Sequence, residues 1–306
     1  MTVPYLLRLL CMCMASFFLL HLTFALAVSA AAPLAIRRAE RMRASAGARL
    51  LFLLRLLPPG LALVVVAAIC APSYLWLEPD ASAEEVGLIF LTVALVGSAL
   101  CAMAIGRALS AAVRSRRYLR DCPRLIESNA PILMLAGVLR PRLVVSRGVM
   151  GVLDHEQLVV ALRHEWAHGV AHDNLKRLLL LAIPGVLPCM RGLRSIDRAW
   201  ARMAEWAADD RAVGGSSNRS LALAAALVRV ARMGPAAPAP ALATSLMADP
   251  CDLEKRVDRL LDPAPSPEMP RAWVVSGAAF ALALSAMAPQ PATLRAAHRL
   301  LELLLH

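Results

Sequence analysis

Four stretches of the chain run without charge for long enough to matter to a membrane. Residues 9–36 contain no Lys, Arg, Asp or Glu, and neither do residues 86–106, VGLIFLTVALVGSALCAMAIG. A bilayer core of about 30 Å takes about 20 apolar residues of helix. Residues 56–77, LLPPGLALVVVAAICAPSYLWL, and 272–294, AWVVSGAAFALALSAMAPQPATL, are shorter once their prolines are set aside but equally uncharged. The pattern predicts four transmembrane helices, at about 6–35, 56–77, 86–107 and 272–290. Residues 1–111 then hold three of them, 112–270 form a separate domain, and 271–306 hold the fourth and a short external tail.

Between the third and fourth spans the periodicity changes. PILMLAGVLRPRLVVS, 131–146, has two apolar runs about a turn near Gly137 to Pro141, the pattern of a strand pair. GVLDHEQLVVALRHEWAH then reads as a helix, with Asp154 as N-cap and Gln157 completing a capping box. Residues 178–190 are apolar but broken by Pro184 and Pro188. They form a core segment or a re-entrant dip toward the bilayer, and the core is favoured. A second helix is expected over 193–213, ended by Gly214 and Gly215, and a third from Ser220 to Met233. The proline-rich GPAAPAPALATSLMADP reads as a linker. LEKRVDRLL reads as a short amphipathic helix with Leu253, Val257, Leu260 and Leu261 on one side. The fold class is a mostly α membrane protein carrying an α+β domain between its third and fourth spans.

Composition agrees: 59% of residues are hydrophobic, above the share of an ordinary soluble domain. The net charge of +11 is patterned. Arg37, Arg38, Arg41, Arg43, Arg49 and Arg55 separate the first two spans, EPDASAEE without a basic residue separates the next two, and six arginines from Arg107 to Arg124 follow. Basic residues near span ends resist translocation, so the first loop and residues 107–271 are expected in the cytoplasm and both termini outside. These arginines flank helices and meet anionic lipid head groups, which accounts for the charge without nucleic acid. LAVSAAAP offers a signal-peptide cleavage site, but cleavage there would put the arginine-rich segment outside. The seven cysteines include no CxxC pair and read as small buried hydrophobes.

The chemistry lies in RHEWAHGVAHDN, residues 163–174. His164 and His168 are four apart, so on a helix their imidazoles leave one face and share one metal ion, with Glu165 beside them to handle a proton. His172 is about 12 Å from His164 along the axis, too far to be a third ligand, and reads as a surface or outer residue. AEWAADD supplies Glu205 as the third ligand, and Asp209, one turn on, to accept the free N–H of a ligand histidine. Two histidines and a glutamate leave the fourth zinc position open.

HExxH followed by ExxxD on the next helix is the gluzincin pattern. With GVLRPRLVVSRGVM and LDHEQLVVALRHEWAH before it, HDN after it and LEKRVDRLL ahead of the last span, the chain resembles the BlaR/MecR-type integral-membrane zinc metallopeptidases. The resemblance implies that His164, His168 and Glu205 hold one zinc ion, Glu165 is the catalytic acid and base, and Asp209 orients a ligand histidine. It also implies that the strand near Leu143 to Ser146 is the edge along which a substrate lies. The substrate would be a cytosolic protein, a transcriptional repressor by the resemblance, and the location a bacterial inner membrane. The chain contains no SxxK, so β-lactam sensing by itself is not expected. The oxyanion-stabilising residue is left open among His155, His172, Arg211 or none of them. Two alternatives stand beside this reading: a quality-control peptidase of HtpX type, and a non-catalytic transducer in which the zinc domain is a docking module.

Overall fold

The computed structural model describes residues 3–77, 87–184, 190–234, 242–246, 252–262 and 295. The expected fourth span at 272–290 lies outside them, as does the tail beyond it apart from Arg295. The described chain is mostly helical with one small sheet, and three of its helical stretches are long and apolar enough to cross a membrane.

Helix α1 covers Val3–Glu40 and α2 covers Ala44–Val65, which runs on through a π-helical turn at Val66–Cys70 into α3, Ala71–Leu77. Helix α4 covers Leu88–Asp121. All three stretches begin or end well beyond the uncharged segments: Tyr5–Glu40 has 36 residues, about 54 Å of helix against a hydrocarbon core of about 30 Å. The arginines expected in a loop between the first two spans therefore lie largely on helix, and only three residues, 41–43, turn between α1 and α2. Pro58 and Pro59 sit inside α2 without ending it. In hydrocarbon an unwound backbone has no water to bond, so the helix persists around its missing donors.

The membrane helices meet through small residues. Ala15, Ala94 and Cys70 are buried with Tyr5, Met12 and Phe90, and the Tyr5 and Tyr74 rings lie 5.1 Å apart. A Cβ on Gly97 would come within 2.8 Å of Phe18 Cβ, so only glycine lets α4 approach α1 there.

The remainder of the chain is built onto this bundle. Strands β1, Leu125–Ile126, β2, Leu133–Ala136, and β3, Arg142–Ser146, precede α5, Arg147–Val152, and α6, His155–Ala171. Helices α7, Asp173–Ala182, α8, Arg191–Val213, and α9, Ser217–Arg232, follow, then β4, Ala243–Ser245, and α10, Leu253–Leu261. The sheet order is β1-β3-β2-β4, with β1 parallel to β3 and the other pairs antiparallel. The β2–β3 hairpin and the capping box of Asp154 and Gln157 form as the sequence predicts. Two expectations fail. The proline-rich linker contains β4, because Ala243 to Ser245 pair with β2. Strand β3 is not an edge: it lies between β1 and β2, so no partner strand can be added along its Val145 and Ser146.

Helix α8 joins the two halves. Ile196, Trp200 and Met203 pack with Ala25, Val28, Ala32, Ala48 and Leu51 of α1 and α2. Nine residues are two and a half helical turns, so Glu205, Asp209 and Ala212 lie on the opposite face. Ala212 there enters a second core with Val160 and Ala161 of α6 and Leu223, Ala226 and Leu227 of α9. Arg55 of α2, expected near lipid head groups, is buried and donates to Asp197 of α8 at 3.0 Å. Of the segment 178–190, Ile183, Pro184 and Met190 are buried, and Met190 packs against α1 and α2. Residues 185–189 lie outside those described.

Candidate metal centre

The i, i+4 spacing on α6 brings His164 and His168 together, with their Nε2 atoms 3.2 Å apart. Glu205 arrives from α8: its Oε2 lies 3.5 Å from His164 Nε2 and its Oε1 3.6 Å from His168 Nε2. All three side chains are buried, and one ligand atom from each falls within 4.8 Å of the others, a group able to hold a metal ion.

The surroundings aim these atoms. Asp209 Oδ1 is 2.8 Å from His164 Nδ1, and Asp173 Oδ2 is 2.8 Å from His168 Nδ1. A carboxylate beside Nδ1 favours the proton there, through a hydrogen bond at His168 and through its charge at His164, so in each neutral ring Nε2 keeps its lone pair and turns it toward the other ligands. Two lone pairs and a buried carboxylate facing one another repel unless a cation or protons lie between them. Glu205 meets that demand by no ordinary means. Among the described residues neither of its oxygens accepts a hydrogen bond, although Arg256 Nη1 and Arg177 Nη2 stand 3.3 and 3.8 Å away. The donor set therefore fits a metal ion.

The charge balance points the same way. Burial disfavours the His168 imidazolium, yet the Glu205 carboxylate and the bond to Asp173 more than offset it and raise its pKa to about 10. Burial also works against ionised Glu205, which the two histidines and Arg256 hold well below the usual carboxylate range. Asp209 is likewise opposed by burial and brought down to about 2 by Arg256 and His164.

Glu165 is not part of the ligand group. Its Oε2 accepts from Leu135 N–H of β2 at 3.1 Å and from the Thr244 hydroxyl at 3.4 Å, while Oε1 is buried without a hydrogen-bond partner among the described residues. Burial pushes its carboxyl up to about 7, against the pull of the two imidazoles.

Sequence reasoning placed His164, Glu165, His168, Glu205 and Asp209 together, and all five converge. It missed Asp173 and Arg256. Asp173 reaches His168 because α6 stops at His172, whose φ of 56° turns the chain so that α7 starts beside the site. Arg256 of α10 is buried, donates to both oxygens of Asp209 at 2.7 and 2.8 Å and to Leu246 O at 2.8 Å, and has its pKa raised by that pairing against the effect of burial. Arg202 and Arg211, basic residues near these carboxylates on α8, bond Glu40 and the Ala167 carbonyl. A signal for Arg256 did exist: it falls between Leu253 and Leu260 on the helical spacing of the apolar stripe, where an arginine is out of place unless paired. His172 is exposed, as expected, and its ring bonds the Val170 carbonyl at 3.1 Å. No protein-family model, curated protein or solved structure matches the chain.

Proposed function

We propose that the chain is a membrane-embedded zinc endopeptidase that cleaves a cytosolic protein, a transcriptional repressor by the resemblance drawn from its sequence. The observation that carries this is Glu165: a buried carboxylate with one oxygen anchored to Leu135 N–H and the other free, placed beside a His164–His168–Glu205 group that it does not join. A structural site closes its fourth position with a protein ligand and has no use for such a group. Two imidazoles and a carboxylate are the ligand set of catalytic zinc, which when bound would polarise a carbonyl and acidify water.

The residues then divide the work. His164, His168 and Glu205 hold the ion, while Asp209 and Asp173 fix the imidazoles, with Arg256 bracing Asp209. Glu165, its pKa near neutrality, takes a proton from the attacking water at its free oxygen and returns it to the departing amine. The arginine pattern supports a cytoplasmic site between a third and a fourth span in a bacterial inner membrane.

The test is metal content by elemental mass spectrometry on the detergent-purified chain, with a casein-type cleavage assay on the same samples. About one zinc per chain is expected, retained in Glu165→Gln with cleavage lost, and weakened in Glu205→Ala. Zinc retained with no cleavage by wild type would move the reading to a non-catalytic transducer; no zinc at all would sink the metal centre.

A further inference from the structure

Hydrolysis of a peptide bond needs a donor for the carbonyl oxygen on which negative charge develops. The candidates from the sequence are not placed to serve. His155 is exposed at the start of α6, about 13 Å along the axis from His164. His172 is exposed and its ring turns back to Val170 O, and Arg211 is exposed and bonds Ala167 O. Arg256 is already engaged with Asp209 and Leu246 O.

Arg177, on the second turn of α7, stands differently. Its Nη1 donates to the Ala243 carbonyl of β4 at 2.8 Å, and its Nη2 lies 3.8 Å from Glu205 Oε1. The next residue of that strand, Thr244, reaches the Glu165 carboxylate with its hydroxyl. One guanidinium thus spans the metal group and a backbone carbonyl of an extended strand, one residue from the proposed general base. The side chain is 21% exposed, so part of its donor edge remains open. Asn174, on the first turn of α7, ties that helix to β2 and the residue after it by donating to Leu135 O and Gly137 O at 3.0 and 2.8 Å.

We propose that Arg177 is the carbonyl-binding residue of this site. It grips the backbone carbonyl of a peptide lying extended along β4, the last strand of the described sheet, and donates N–H to the oxygen that becomes negative. The inference rests on the peptidase reading above. As water adds to the carbonyl carbon, the C=O π pair moves onto that oxygen and Glu165 takes the water proton. The pair then returns as the C–N bond breaks, and the amine leaves with the proton from Glu165. Arg177 donates hydrogen bonds throughout and transfers no proton.

The test compares the full chain with Arg177→Gln and Arg177→Lys in three measurements: zinc content, hydrogen exchange over residues 242–246, and kcat and KM on casein-derived fluorogenic peptides. Arg177→Gln is expected to keep its zinc, to exchange faster over 242–246, and to lose about 100-fold in kcat/KM with most of the loss in kcat. Lysine keeps the charge without the planar fork and is expected to recover about tenfold. Unchanged exchange, or unchanged kcat in Arg177→Gln, overturns the proposal. So does zinc lost in parallel with activity, which would make Arg177 a support for Glu205. If wild type neither holds zinc nor cleaves, the peptidase reading falls and this proposal with it, whereas a zinc-loaded, cleaving wild type matched by Arg177→Gln sinks the proposal alone.

Discussion

At the scale of single residues, the metal group is held by carboxylates one layer out. Asp173 accepts from His168 Nδ1 and Asp209 stands 2.8 Å from His164 Nδ1, so both bear on how well the Nε2 lone pairs are aimed. Asp173→Asn is expected to weaken zinc affinity by about 10- to 100-fold in competition with a chelator while leaving Glu165 untouched. Asp209→Asn does the same and also strips Arg256 of its buried partner, so it is expected to lower stability by about 3–5 kcal/mol, read as a fall in melting temperature. The depressed pKa of Asp209 sets a sign for pH. A carboxylate lowered to about 2 contributes its stability in full above its ordinary value of 3.8 and loses it as pH falls toward 2. The melting temperature of metal-free wild type should therefore drop across that window by more than that of Asp209→Asn.

At the scale of elements, the decisive piece is α8, a helix with two committed faces. Ile196, Trp200 and Met203 face the membrane hairpin, and Glu205 and Asp209 face α6. Its N-terminal turn has no slack: a Cβ on Gly192 would fall on the Ser29 carbonyl oxygen of α1. Gly192→Ala should push α8 away from α1, lowering the melting temperature and, through Glu205, the zinc content. An unchanged zinc content would mean that α8 is positioned from the α6 side alone. At the other end of the site, His172 holds a left-handed conformation that favours glycine. His172→Gly is expected to be neutral or stabilising by up to about 1 kcal/mol, with zinc retained. The helices themselves were legible, because caps such as Asp154 and stops such as Gly214 are local signals. Strand β4 was not: its three residues sit among prolines and become a strand only because β2 offers an edge.

At the scale of the whole molecule, membrane bundle and metal centre share one helix and so should not separate. A fragment of residues 112–270, the unit that the spans mark off in the sequence, would expose the face of Ile196, Trp200 and Met203 that packs on α1 and α2. It is expected to aggregate, whereas a fragment that also retains residues 1–111 should run as a discrete species in detergent on size exclusion. A soluble, zinc-loaded 112–270 fragment would contradict the shared-helix account.

The sequence by itself determined whatever depends on neighbours a few positions apart: the uncharged spans, the arginine pattern, the helix caps, the pairing of His164 with His168 and of Glu205 with Asp209. These follow from fixed rise and rotation per residue, which a string of letters carries. Tertiary structure alone decided which distant groups meet. Arg256 finds Asp209 from 47 residues away, Asp173 turns onto His168 through a left-handed corner, and Arg177 reaches a strand that forms only by pairing with β2. Such contacts depend on how helices pack, and no local periodicity encodes that.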